Sequence, residues 1–126
     1  MPGSPISPLA SSATLPSPNG RYTAVITGAV EIQMSGPTRG TLRVNGIVRE
    51  HCNPSMAWSD DSEYLAVVEI VDRARPARLV ILSMRRGDAR YAPGAYGCLE
   101  LLAFSGGVVK ARSLTDAVEI DVSRVL

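Results

Sequence analysis

Ser17-Pro18-Asn19-Gly20-Arg21-Tyr22-Thr23-Ala24-Val25-Ile26 aligns with Ser59-Asp60-Asp61-Ser62-Glu63-Tyr64-Leu65-Ala66-Val67-Val68 at an offset of 42 residues. Each copy is a polar turn followed by an apolar run. Asn, Asp and Gly tolerate the left-handed backbone angles that tight reversals need. The Tyr-x-Ala-Val run then reads as a strand whose small Ala lets a neighbouring sheet approach closely. The offset lies within the period of about 40 to 45 residues expected of a four-stranded repeat unit.

A second match sets Ala29-Val30-Glu31-Ile32-Gln33-Met34-Ser35 against Ala117-Val118-Glu119-Ile120-Asp121-Val122-Ser123, at an offset of 88 residues. The same offset carries Ser17 onto Ser105, which follows Phe104 just as Ser59 follows Trp58. Leu79-Val80-Ile81-Leu82-Ser83 is the second unit's version of the Val-Glu-Ile strand, displaced by the loop that includes Asp72 to Ala77. Three units follow, each an aromatic-Ser turn, a rising strand, a connection and a second strand ending in Ser.

Outside these turns, short apolar runs alternate with Gly, Pro, Asn and Asp clusters, and no segment holds a 3.6-residue period. Strands are expected at 22–27, 30–35, 41–44, 56–59, 64–71, 78–84, 99–104, 108–112 and 118–122. Residues 1–18 are rich in Pro and Ser and are expected to form a flexible tail, leaving residues 19–126 as one all-β domain. With 45% hydrophobic residues, 126 residues suffice to bury a core of one domain. A formal net charge of +1 supplies no field that would draw the chain to nucleic acid or to an anionic membrane. No apolar stretch has the length of a membrane helix or of a signal-peptide core, so a soluble, cytoplasmic protein is expected. The compartment becomes periplasmic or extracellular if the N-terminus replaces a removed signal peptide.

The two turns, with Ala57-Trp58 ahead of the second, resemble the W-S-P-D-G-x-x-L-A signature of TolB-like and WD40-like β-propeller repeats. Ser62 stands where that signature has Gly, and the third unit has Gly106-Gly107 without an Asp. The resemblance implies antiparallel, blade-like sheets and says almost nothing about activity. Closed propellers take about four or more blades. Three units therefore imply two or three sheets packed as an incomplete propeller or a sandwich, or else a ring completed by a second chain.

Cys52 lies seven residues before Ser59 and Cys98 seven before Ser105. The pair reads either as a disulfide in an oxidising compartment or as two buried thiols. His51 is the only histidine and no C-x-x-C occurs, so the ligand spacing of a zinc site is missing. A Ser-His-Asp triad could be named around His51 with Asp60, Asp61 or Asp72, but no Gly-x-Ser-x-Gly elbow supports it. No glycine cluster is followed by the Lys-Ser or Lys-Thr of a phosphate loop, and no cofactor is expected. The strongest local charge is a run of arginines, and an interface is expected at Arg73, Arg75, Arg85, Arg86, Arg90, Tyr91 and Tyr96, residue types enriched at protein contacts.

The expected function is that of a non-enzymatic module binding another protein, in the form of an inhibitor or immunity-type protein engaging an enzyme. A subunit of a larger oligomeric propeller scaffold is the alternative, and a hydrolase using His51 the second. Homo-oligomerisation is compatible with the scaffold reading. Neither a nucleic acid nor a membrane is expected as partner.

Overall fold

The computed structural model describes residues 5–126 except Gln33, Ser35 and Arg73. Ten strands follow one another: β1 (Ala13–Pro16), β2 (Thr23–Glu31), β3 (Thr38–Val44), β4 (Ile47–Trp58), β5 (Tyr64–Glu69), β6 (Arg78–Ser83), β7 (Ala89–Tyr91), β8 (Glu100–Ser105), β9 (Val108–Ser113) and β10 (Asp116–Asp121). A 3-10 turn, Ser123–Val125, follows β10. Strands β1 to β7 form a seven-stranded antiparallel sheet in chain order, and β8 to β10 a three-stranded one. The fold class read from the sequence is the one observed: all-β, with packed antiparallel sheets that do not close into a barrel.

The long sheet is folded at β4. Residues up to Cys52 pair with β3, whereas Cys52 to Trp58 pair with β5, and the register breaks between Asn53 and Met56. Pro54 sits in that break, where its missing N–H interrupts no ladder. Asn53, fully buried, donates from Nδ2 to the carbonyls of Pro8 at 2.9 Å and Thr38 at 2.7 Å and accepts from the Ser55 N–H at 3.0 Å. One side chain thereby serves the Ser55 N–H at the bend and the Thr38 carbonyl beside it, and adds a second donor to the Pro8 carbonyl, which also accepts from the Thr38 N–H.

Folding the sheet in this way makes three layers. On β5 and β6, Leu65, Val67, Val80 and Leu82 share an apolar cluster with Ala24, Ile26, Leu42 and Val44 of the first layer. Their neighbours Ala66, Val68, Leu79 and Ile81 point the other way, into a cluster with Leu101, Phe104, Val109, Ala111 and Ile120 of the three-stranded sheet. Burial on both faces is why these two strands read as unbroken apolar runs rather than as alternation. The outer faces of the stack mix polar side chains with exposed apolar ones, Val30 and Val48 among them. Register places Thr27 beside Thr41 and Val25 beside Arg43 on one side, and Lys110 beside Glu119 and Arg112 beside Ala117 on the other.

Both Ser turns adopt one hydrogen-bond pattern. Ser17 Oγ donates to Asn19 Oδ1 at 2.8 Å and accepts from the Tyr22 N–H at 3.1 Å, and Ser59 Oγ donates to Asp61 Oδ1 at 2.6 Å and accepts from the Tyr64 N–H at 3.0 Å. The left-handed position is Gly20 in the first turn (φ 74°) and Ser62 in the second (φ 63°). Trp58 pins the two layers together, donating from Nε1 to the Leu15 carbonyl at 2.9 Å and stacking on Tyr22 at a centroid distance of 6.0 Å. The middle and third layers are joined where the Leu101 N–H donates to Ser55 Oγ at 2.8 Å.

Several expectations need correction. Residues 13–16, assigned to the tail, form β1 and pair with β2. The strands expected at 22–27 and 30–35 are not two: Thr23–Glu31 is one strand with a bulge between Thr27 and Val30, and Gln33 and Ser35 lie outside the described residues. At that bulge β3 passes so closely that a Cβ on Gly40 would stand 2.5 Å from the Thr27 carbonyl oxygen, which is what requires Gly there. The Ala-Val-Glu-Ile recurrence therefore joins residues that differ structurally, the end of a second strand and a third strand, β10. In the third unit Ser105 and Val108 flank a two-residue Gly106-Gly107 reversal, with φ of 59° and 76°, in place of the Ser-Asx network.

Candidate functional site

Side chains from four adjacent strands converge near the end of β5. Glu69 pairs with Arg78 across β5 and β6, Tyr91 lies opposite Val80 on β7, and Arg49 comes from β4. The Tyr91 hydroxyl donates to Glu69 Oε1 at 2.7 Å, and Arg49 Nη2 bonds Glu69 Oε2 at 2.7 Å. The Arg78 guanidinium lies over the Tyr91 ring, 4.2 Å from its centroid, and that of Arg49 is 5.8 Å away. A cation this close to a ring face is attracted by the ring quadrupole, by roughly 0.5–1 kcal/mol at an exposed site.

Tyr91 is thus fixed in orientation while the residue stays 43% exposed. The hydrogen bond to Glu69 and partial burial raise its pKa, which keeps the hydroxyl a donor. Arg49 Nε is buried and has no hydrogen-bond partner among the described residues, so one donor of the cluster is unspent. Arg39 approaches from β3, donating from Nη1 to the Val71 carbonyl and standing 3.1 Å from His51 Nδ1. Two guanidinium groups, those of Arg49 and Arg78, therefore gather around Glu69 and Tyr91, one positive charge more than this carboxylate balances.

The interface residues expected from the sequence divide between two ends of β6. Arg86 and Arg90 gather on Asp88, with Nε to Oδ2 distances of 3.2 and 3.5 Å, beyond the Ser83 end, where Arg85 is also exposed. Arg86 holds the Asp88 carboxyl below the usual range. Arg75 belongs to the opposite end, 3.6 Å from Asp72. Tyr96 is not a surface anchor: its backbone bridges to Ala77 and its ring packs on the apolar cluster between the middle and third layers. Arg73 lies outside the described residues. Tyr91 alone of the set sits in the convergent cluster. Arg39, Arg49 and Glu69 were missed, and their only sequence signal is position, as charged residues within or at the ends of apolar strands.

Cys52 and Cys98 are free thiols. Cys52 is fully buried, with its pKa pushed up to about 12 by desolvation, and Cys98 is half-buried, also raised by burial and by Glu100. His51 is exposed, adopts φ 63°, and faces Arg39; among the described residues no serine or carboxylate is hydrogen-bonded to its ring. Asp61 and Asp72 are engaged in their own turns, Asp72 accepting from the Ala74 N–H at 2.8 Å. No helix among the described residues is long and apolar enough to cross a membrane. Comparison of the chain with known protein families, with curated proteins and with solved structures finds no match.

Proposed function

We propose that the chain is a non-enzymatic protein-binding module that presents Tyr91, braced by Arg78 and Arg49, to a partner protein. The observation that carries this reading is the preset geometry of that tyrosine: hydroxyl held by Glu69, ring under Arg78, outer surface open. Tyr and Arg dominate the energetics of protein interfaces, and a side chain already held in its bound rotamer loses less entropy on association. Excess guanidinium charge favours an acidic patch on the partner. An inhibitor or immunity-type role toward an enzyme is the specific form of this proposal.

Kinship with propeller-type repeats belongs to the same proposal, and the matched Ser turns at 17–22 and 59–64 support it. Membership of a larger propeller ring is less well supported. Closing a ring through the outer faces would bury Thr27, Thr41 and Arg43 on one side and Lys110, Arg112 and Glu119 on the other, at the energetic cost of desolvated polar groups.

Affinity capture from native extract tests the reading, with three forms of the chain compared. Tyr91→Ala is expected to lose a specific partner by about 2 kcal/mol or more, and Arg85→Ala/Arg86→Ala to retain it. Equal capture by the Tyr91 variant, with the fold verified by thermal melting, would remove this surface from consideration. Elution of the chain as a multimer in gel filtration would favour the scaffold alternative.

A further inference from the structure

The first two layers each contain four strands, the last being residues 47–52 of β4 in one and β7 in the other. The third layer has three, and among the described residues nothing pairs with the outer side of β10. We propose that this edge takes up an extended, basic segment of a partner protein as a fourth strand. Only the class of partner rests on the protein-binding reading; the surface is a different one.

Backbone parity defines what the edge offers. Ser113 and Asp116 flank the two-residue β9–β10 reversal, and the Val122 N–H donates to the Gly107 carbonyl at 2.9 Å, so the even-numbered residues of β10 direct their amide groups to β9. The N–H and C=O groups of Ala117, Glu119 and Asp121 therefore point outward, a row of donors and acceptors in the register of an antiparallel partner. The six residues run without a bulge, and the strand contains neither Pro nor Lys, the usual means of blunting an edge. Other edges are less available: β7 has three residues, β1 ends on Pro16, and the Leu101 N–H of β8 is already bonded to Ser55.

Side chains select the occupant. Asp116, Glu119 and Asp121 are exposed and no basic residue lies in the strand. Val118 is half-buried against the apolar cluster and leaves one flank open. An incoming strand that alternates apolar residues beside Val118 with Lys or Arg beside Glu119 and Asp121 completes both faces. A second copy of β10 does not fit, since antiparallel pairing of two such edges sets like charges side by side.

The test is a titration of the whole chain with two short capped peptides, one alternating Val with Lys and one alternating Val with Glu, followed by residue-resolved hydrogen exchange. The Lys peptide should protect the amides of Ala117, Glu119 and Asp121, and the Glu peptide should bind on the order of tenfold more weakly. Glu119→Pro removes one outward N–H without touching the β9 ladder and should abolish the protection. Should that variant fail to fold, Glu119→Lys/Asp121→Lys must reverse the preference between the two peptides. Protection elsewhere, equal affinity for both peptides, or loss of Lys-peptide binding in Tyr91→Ala would overturn the proposal. A partner lost by Tyr91→Ala but kept by Glu119→Pro, with no peptide bound at β10, would sink the edge and leave the Tyr91 surface standing.

Discussion

The backbone N–H of Asn19 donates to the hydroxyl of Ser62 at 3.0 Å, tying the turn of the first layer to that of the second. Ser62 holds φ 63°, a conformation that costs a non-glycine residue on the order of 1 kcal/mol, and is almost fully buried. Its hydroxyl offsets that cost by accepting from a donor that has no other partner among the described residues. Ser62→Ala keeps the strain and loses the bond, whereas Ser62→Gly loses both. Urea unfolding should therefore place Ala about 1–2 kcal/mol below the parent and Gly about 1 kcal/mol above Ala. Equal stability of the two variants would mean that the left-handed angle is not under strain.

The same residue shows what was legible in the sequence. The offset of 42 residues identified the paired turns because their chemistry is local: Ser, Asx and a left-handed position lie within a few residues of one another. What failed depended on tertiary contacts. β1 has no strand pattern of its own, and it forms because Ala13 to Pro16 pair with β2 and the Leu15 carbonyl receives Trp58 Nε1. β7 is a strand of three exposed residues, ordered by its pairing with β6. The Tyr91 cluster was half legible for the same reason. Tyr91 could be nominated by residue type, but Arg49 and Glu69 reach it only through a register that spans four strands.

Asn19 and Asp61 play the same part in their turns, one neutral and one ionised, and this gives a pH test. Asp61 Oδ1 accepts from Ser59 Oγ at 2.6 Å and from the Glu63 N–H at 3.1 Å, which lowers its pKa below the usual 3.8. A carboxyl whose folded pKa is depressed adds stability above its unfolded pKa and loses it as pH falls through the folded value. Asp61→Asn should match the parent within about 0.5 kcal/mol at neutral pH, because Asn19 already makes this network. Below about pH 4 the parent should lose stability faster than the variant. Parallel acid titrations of the two proteins would show that Asp61 is not held by its turn.

The cysteines should differ in reactivity. Thiolate is the nucleophile, and Cys52 combines full burial with a pKa of about 12, while Cys98 is half-buried. Limited alkylation of the native chain, mapped by mass spectrometry, should modify Cys98 first and Cys52 only on unfolding. Because the folded Cys52 pKa is raised above the ordinary thiol value of 9.0, the unfolded state releases its proton first, and stability falls as pH climbs from there toward about 12. Cys52→Ala should flatten that alkaline slope. Modification of both thiols at equal rates would show that the first two layers open readily.

Asn53 offers the sharpest test of the bend in β4. Its Nδ2 supplies both hydrogens to carbonyls, of Pro8 and Thr38, and its Oδ1 accepts from Ser55. Asn53→Ala takes this partner from the Thr38 carbonyl and the Ser55 N–H, while the Pro8 carbonyl keeps the Thr38 N–H, and should cost about 2 kcal/mol or more. Asn53→Asp has nearly the same shape but turns an ionised oxygen toward two carbonyl oxygens in a site where Asn53 is 0% exposed. Burial and that repulsion raise the folded pKa of the new carboxyl, so its stability is retained below the unfolded pKa and lost as pH rises. This variant should therefore become more stable on mild acidification, opposite to the trend expected for the Asp61 turn. A variant as stable as the parent at neutral pH would show that the amide is not the donor that fastens the fold of the sheet.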